Sequence, residues 1–93
     1  MNYEALGRYT LEKEAADSAL KERNRHLFAL KRWAESSSNN EHATDLDNTI
    51  GARLIDQALR ANDVFNAAVD TANAFADLAQ RPKILVRTSY FKE

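Results

Sequence analysis

Ninety-three residues with two glycines, one proline and no cysteine fit a single domain, leave too few turn formers for an all-β fold, and exclude disulfides, thiolate zinc sites and cysteine nucleophiles. The net charge of -1 conceals a segregation: residues 21–33 sum to +4, residues 44–80 to -4 and residues 81–93 to +3. Blocks of opposite sign on so short a chain point to oriented association, with another protein or another copy of itself, rather than to a general nucleic-acid coat.

The first predicted helix runs from about residue 3 to residue 35, with Asn2 as its cap. Three-four spacing gives it an inward seam of Leu6, Tyr9, Lys13, Ala16, Leu20, Arg23, Leu27, Leu30 and Ala34. Lys13 and Arg23 are intruders on that seam; a buried cation there could fix the pairing register, or its stem could lie along apolar surface with its head in water. Residues 36–43 open with Ser36-Ser-Ser-Asn-Asn, side chains that compete for backbone hydrogen bonds and favour a loop.

The second predicted helix spans about residues 44–80. Thr44 is its expected cap, with Asp47 three residues on in the manner of a capping box, and Pro82 forbids its continuation. Its seam reads Leu54, Ala58, Ala61, Phe65, Ala68, Ala72, Phe75 and Ala79. A short polar loop between two long helices makes an antiparallel hairpin the default, so the fold class is all-α. Folding about residue 40 sets Leu20 near Ala61, Ala16 near Phe65 and Leu6 near Phe75. One hairpin encloses no core: Ile55, Leu59, Val64, Val69, Phe28 and Trp33 are left partly outside the seam. A second hairpin would cover them, which predicts a homodimeric four-helix bundle.

Residues 81–93 form a basic and apolar tail, β-branched and aromatic, that follows the proline. It is expected to be extended: a strand pairing with its dimer mate, an arm folded back on the bundle, or a strand added to a partner's sheet edge through Ile84, Val86, Arg87 and Phe91.

Two charged rows stand on the outer faces. Asp56, Asp63, Asp70 and Asp77 recur every seventh residue, so two helical turns return each to nearly the same face, opposite the seam. This acidic ridge could dock a basic partner, or simply keep an alanine-rich helix solvated. Neighbouring aspartates lie ~10 Å apart, too far to share a proton or a metal ion. On the first helix Lys21, Arg25, Phe28 and Arg32 share one outward face. Arginine beside an exposed aromatic is the composition of a binding hot spot, and would also suit phosphates or unpaired bases.

Little else in the chain carries chemistry. Glu22 and His26 stand one turn apart, but two ligands make no metal site, and His42 is remote in sequence. Ser36–Ser38 lack a neighbouring general base, and there is no glycine-rich phosphate loop. Neither catalysis nor a cofactor or metal is expected. No run approaches a membrane span and the start lacks a long apolar stretch, which predicts a cytoplasmic protein without membrane contact.

In outline the chain resembles the small accessory proteins that temperate bacteriophages encode beside their recombination and early-control genes. The resemblance rests on the immediate helical start Met1-Asn-Tyr-Glu-Ala-Leu, the polar hinge Ser36–Asn40 and the basic end Ser89-Tyr-Phe-Lys-Glu93. It implies an adaptor or inhibitor aimed at a host nucleic-acid enzyme, and carries over no site residue. The sequence therefore predicts a non-catalytic protein-binding hairpin. A nucleic-acid-binding regulator using the basic face, or a structural self-assembly unit, are the alternatives.

Overall fold

The structure, a computed structural model, describes residues 2–38 and 45–87. The expected cap at Thr44, together with His42 and Phe91, lies outside the described residues. Two helices pack antiparallel: α1, Tyr3–Ser37, and α2, Asn48–Ala76.

Each helix begins at a side-chain cap. The Asn2 side-chain oxygen accepts the Ala5 N–H at 3.0 Å, and Glu4 places negative charge in the first turn, beside the positive end of the helix dipole. α1 runs two residues past the expected end, because the serines continue the helical ladder until the Ser38 N–H donates to the Ala34 carbonyl at 3.0 Å. α2 starts at Asn48, with Asp47 itself as the cap and its carboxylate accepting the Ile50 N–H at 3.1 Å. After Ala76 the chain makes one more turn. The Ala79 N–H still reaches the Phe75 carbonyl at 2.9 Å, then Gln80 donates to Asp77 at 3.1 Å and Arg81 to Ala76 at 3.0 Å. Gln80 adopts φ 56°, the left-handed stop that satisfies the last carbonyls of a helix, and Pro82 follows it.

Both helices obey a heptad. On α1 the row Ala5, Tyr9, Glu12, Ala16, Ala19, Arg23, His26, Leu30, Trp33, Ser37 alternates steps of four and three, and every member is buried or half-buried. On α2 the row is Gly51, Leu54, Ala58, Ala61, Phe65, Ala68, Ala72, Phe75, Ala79, again buried or half-buried throughout. The α2 seam is therefore the one that the sequence spacing marks. The α1 seam is rotated from expectation: Lys13, Leu27 and Ala34 are exposed, while Glu12, Ala19 and His26 take the inward positions. Tall leucines are not needed against an alanine-rich partner, and small or snorkelling side chains let the axes approach.

The pairing register also differs, by about one helical turn. Arg23 bonds Asn62, Arg8 lies over Phe75 and the Trp33 ring lies against Gly51, so paired residue numbers sum to about 84 rather than the expected 81. The core consists of two clusters, one of Ala5, Tyr9, Ala72, Ala76 and Ala79, the other of Ala16, Ala19, Phe65, Ala68 and Val69. Val69, expected outside the seam, is buried. Ile84 of the tail touches both clusters.

The molecule is a rod of 63 × 25 × 14 Å, one helix thick. Among the described residues no large side chain is fully buried. A buried alanine methyl contributes only about 0.8 kcal/mol, against about 1.5–3 kcal/mol for a leucine or phenylalanine side chain. This seam therefore holds the hairpin together weakly for its length. Among the described residues no helix is long and apolar enough to cross a membrane.

Candidate functional site

Writing the heptad abcdefg, with the seam at a and d, sorts the surface into four strips. In an antiparallel pair one broad face is bordered by the two e rows and the other by the two g rows, while the f rows form the rod's outer edges. Shallow depressions on the surface fit this frame. One of about 310 Å³ lies on the e face between Leu27 and Asn62. Two more lie on the g face, one of about 590 Å³ by Arg8, Leu11 and Leu78 and one of about 310 Å³ between Glu22 and Val64.

Lys21, Arg25, Phe28 and Arg32 occupy f and c positions of α1, and all four are exposed, Phe28 by 60%. The structure thus places them on one outward strip. It also places Glu22 beside Arg25, a pairing that residue type and spacing could have revealed. The Glu22 carboxylate takes bonds from both Nε and Nη2 of Arg25, the former at 3.3 Å, and lies 3.2 Å from His26 Nε2. The Arg25 hydrogen bond holds the Glu22 carboxyl below the ordinary carboxylate range, and the same bond raises Arg25. Both groups are solvated, so this pair fixes a side-chain geometry more than it stabilises the fold. Lys21 and Arg32 have no ion-pair partner among the described residues.

The four aspartates Asp56, Asp63, Asp70 and Asp77 all lie exposed at f positions of α2. Asp56 is engaged one turn along its own helix by Arg60 at 2.7 Å. The seam intruders separate. Lys13 is exposed, whereas Arg23 is half-buried, donating to Asn62 at 3.1 Å and to Asn24 at 3.0 and 3.2 Å, with its guanidinium 5.5 Å from the Phe65 ring centroid. Arg8 stands 5.9 Å over Phe75 in the same manner. Sequence reasoning passed over Arg8; an arginine opposite the second seam phenylalanine was the available signal.

The tail residues divide as well. Val86 is 52% exposed and Arg87 is exposed. Ile84 is half-buried and turned inward, its N–H donating to Asn73 Oδ1 at 2.7 Å and its carbonyl accepting from Asn73 Nδ2 at 3.0 Å. The Tyr9 hydroxyl donates to the Pro82 carbonyl at 2.8 Å. Neither Tyr9 nor Asn73 is marked by spacing as a tail anchor, because both bonds go to backbone atoms.

Among the described residues no polar or charged residue is buried, and no three metal-ligating side chains converge. What the geometry offers is solvated charge, exposed apolar side chains and shallow depressions, the equipment of contact surfaces. Comparison with protein-family models, with curated proteins and with solved structures finds no match to this chain.

Proposed function

We propose that this hairpin is a non-catalytic binding protein that pairs with a second copy of itself and acts as an adaptor or inhibitor of another protein. The observation that carries the reading is the unfinished core. Leu11, Val64 and Leu78 on the g face are each 58–59% exposed. Between them Ala15, Ala67 and Ala74 form a flat, exposed alanine surface. A face of small side chains edged by leucine and valine admits a second hairpin at close range and yields a four-helix bundle. In such a dimer Lys21 and Phe28 at f positions stay free, with Arg25 and Arg32 at the margin of the dimer face, and this strip is the contact for a partner protein. Aimed at a host nucleic-acid enzyme, it would match the role of the phage accessory proteins that the chain resembles.

The test joins mass to capture. Sedimentation of the wild type is expected to give twice the 10.5 kDa chain mass, and Ala67→Glu with Ala74→Glu to give monomers of unchanged helicity. In bacterial lysate the tagged protein is expected to retain a stoichiometric protein through nuclease treatment, and to lose it on Arg25→Glu with Phe28→Ala while the dimer persists. A monomeric wild type overturns the dimer. Recovery that vanishes with nuclease replaces the protein partner by nucleic acid.

A further inference from the structure

The most constrained part of the surface outside the helices is the tail at Ile84. An asparagine amide that gives one hydrogen bond to a residue's carbonyl and takes one from its N–H occupies that residue's pairing edge as a neighbouring strand would. Pro82 is tied down two residues earlier by the Tyr9 hydroxyl. In extended backbone successive residues turn these groups to opposite sides. With Ile84 facing Asn73, a strand running through residues 83–87 would present the N–H and carbonyl groups of Lys83 and Leu85 away from it. Neither residue has a backbone partner among the described residues.

Side-chain exposure singles out one residue: of residues 83–87 Ile84 alone is half-buried, and Val86 is 52% exposed. Ile84 packs inward, while Leu85 is 89% exposed, more than any other large apolar side chain described. Lys83 and Arg87, both exposed, stand two residues to either side of Leu85, the positions that share its side of a strand. The outer row is therefore cation, leucine, cation.

We propose that residues 83–87 are a docking edge for an extended strand of a partner protein whose matching row is acidic, apolar, acidic. This rests on the reading of the chain as a protein-binding hairpin, and it names one contact of that reading. The charge row selects the partner. Two copies of this tail paired antiparallel about Leu85 would set Lys83 opposite Arg87, and like charges directly opposite oppose pairing. An acidic row turns the same positions into attraction, and main-chain bonds along the free edge supply sequence-tolerant affinity.

The probe is a short peptide, Ser-Glu-Thr-Val-Thr-Glu-Ser, titrated into the full-length isotope-labelled chain and followed by amide resonances. Shifts are expected at Lys83, Leu85 and Arg87, half-saturating at or below the order of 1 mM. The counterpart with lysines for glutamates is expected to bind at least about tenfold more weakly. Leu85→Pro removes an outward N–H and is expected to weaken binding about tenfold, the net worth of one backbone hydrogen bond, whereas Val86→Pro leaves the outer edge intact. Equal binding of both peptides, equal loss in both proline variants, or no shift at several-millimolar peptide overturns the proposal. So does a dimer that Leu85→Pro dissociates in the absence of peptide, since the edge would then belong to self-pairing. The mass and the strip variants above test the parent reading without touching the tail, so the two can fail separately.

Discussion

The two glycines of this chain allow one substitution to be made in two settings, and only one of the two is expected to stabilise. Gly7 lies exposed in α1, and a methyl group added there meets nothing within 4 Å. Gly7→Ala removes backbone freedom from the unfolded chain and is expected to stabilise by about 1 kcal/mol. Gly51 lies buried in α2, and the same methyl would stand 2.7 Å from Cη2 and 2.9 Å from Cζ2 of Trp33. Carbon atoms pack at about 3.5–4.0 Å, so the indole must retreat by roughly 1 Å. Overpacking of this size costs about 1–3 kcal/mol, against about 1 kcal/mol gained in helix propensity. Gly51→Ala is therefore expected to be neutral to destabilising by about 2 kcal/mol. For a chain of this length each kcal/mol moves the melting temperature by about 4–8 °C. The assay is thermal unfolding by far-ultraviolet circular dichroism, with both variants at one protein concentration because any association would add to apparent stability. Trp33 is the only tryptophan, so its fluorescence should shift toward that of solvated indole in Gly51→Ala and stay constant in Gly7→Ala. On a Trp33→Leu background the clash is gone and Gly51→Ala should become stabilising. Equal stabilisation by the two glycine substitutions in the wild-type background, with no change in fluorescence, would show that the indole does not rest on Gly51.

Two further substitutions probe local features. Gln80 holds φ 56° in the turn that ends α2, where a side chain costs about 1 kcal/mol and glycine costs nothing steric. Gln80→Gly should raise the urea midpoint by the equivalent of about 0.5 kcal/mol, once the added freedom of the unfolded chain is counted; a lowered midpoint would rule out the left-handed stop. Glu22 is held below the ordinary carboxylate range by Arg25, so its folded value lies under its unfolded one. Its small contribution is full above the ordinary carboxylate range and is lost as pH falls through the lower, folded value. The difference in urea midpoint between wild type and Glu22→Gln should then be constant near neutrality and shrink on acidification. A difference that grows in acid would contradict the pairing.

The sequence made α2 legible because its seam is written in one chemistry. From Leu54 to Ala79 the a and d positions hold alanine, two phenylalanines and a leucine, with the four aspartates on the opposite face, so one spacing rule suffices. α1 is harder. Its tall apolar residues Leu6 and Leu20 sit at e positions and pack beside the seam, next to the cluster residues that Ile84 also touches. Local spacing reads them as seam because nothing in α1 announces that a third segment, far along the chain, lies on that flank. Glu12 and His26, which take inward positions, are polar, so apolar spacing leaves them off the expected seam. The Asn73–Ile84 clamp was invisible on different grounds: it is made by a side-chain amide to backbone atoms, and backbone atoms carry no sequence signature. Of the expected surface, the outward placement of the aspartates and of Lys21, Arg25, Phe28 and Arg32 followed from angle alone. The Arg25–Glu22 pairing was available from its i, i+3 spacing, whereas its two-bond geometry depends on side-chain rotamers that spacing does not fix.

The heptad frame also constrains how the two charged rows can meet. Within one hairpin the f row of α2 and the outer strip of α1 back onto opposite edges of the rod, so the hairpin cannot neutralise itself. By the observed register Asp56 and Asp63 stand at the heights of Phe28 and Lys21, directly across the rod. A second rod laid alongside in the same orientation would bring the acidic edge of one against the basic strip of the next. Such a contact is heterologous and does not close, so it would propagate instead of stopping at two. Pairing through the flat alanine face is isologous and closes. The two modes also differ in what holds them, since solvated charge rows weaken with salt and apolar burial does not. A dimer whose mass is unchanged by added salt is therefore the alanine-face bundle, and a mass that climbs with protein concentration and falls with salt is edge assembly. The aspartate row then has a reason to avoid a perfect match: Arg60 already occupies Asp56 within its own helix, and Glu22 occupies Arg25 within its own, which blunts the edges that would otherwise zip rods together without limit.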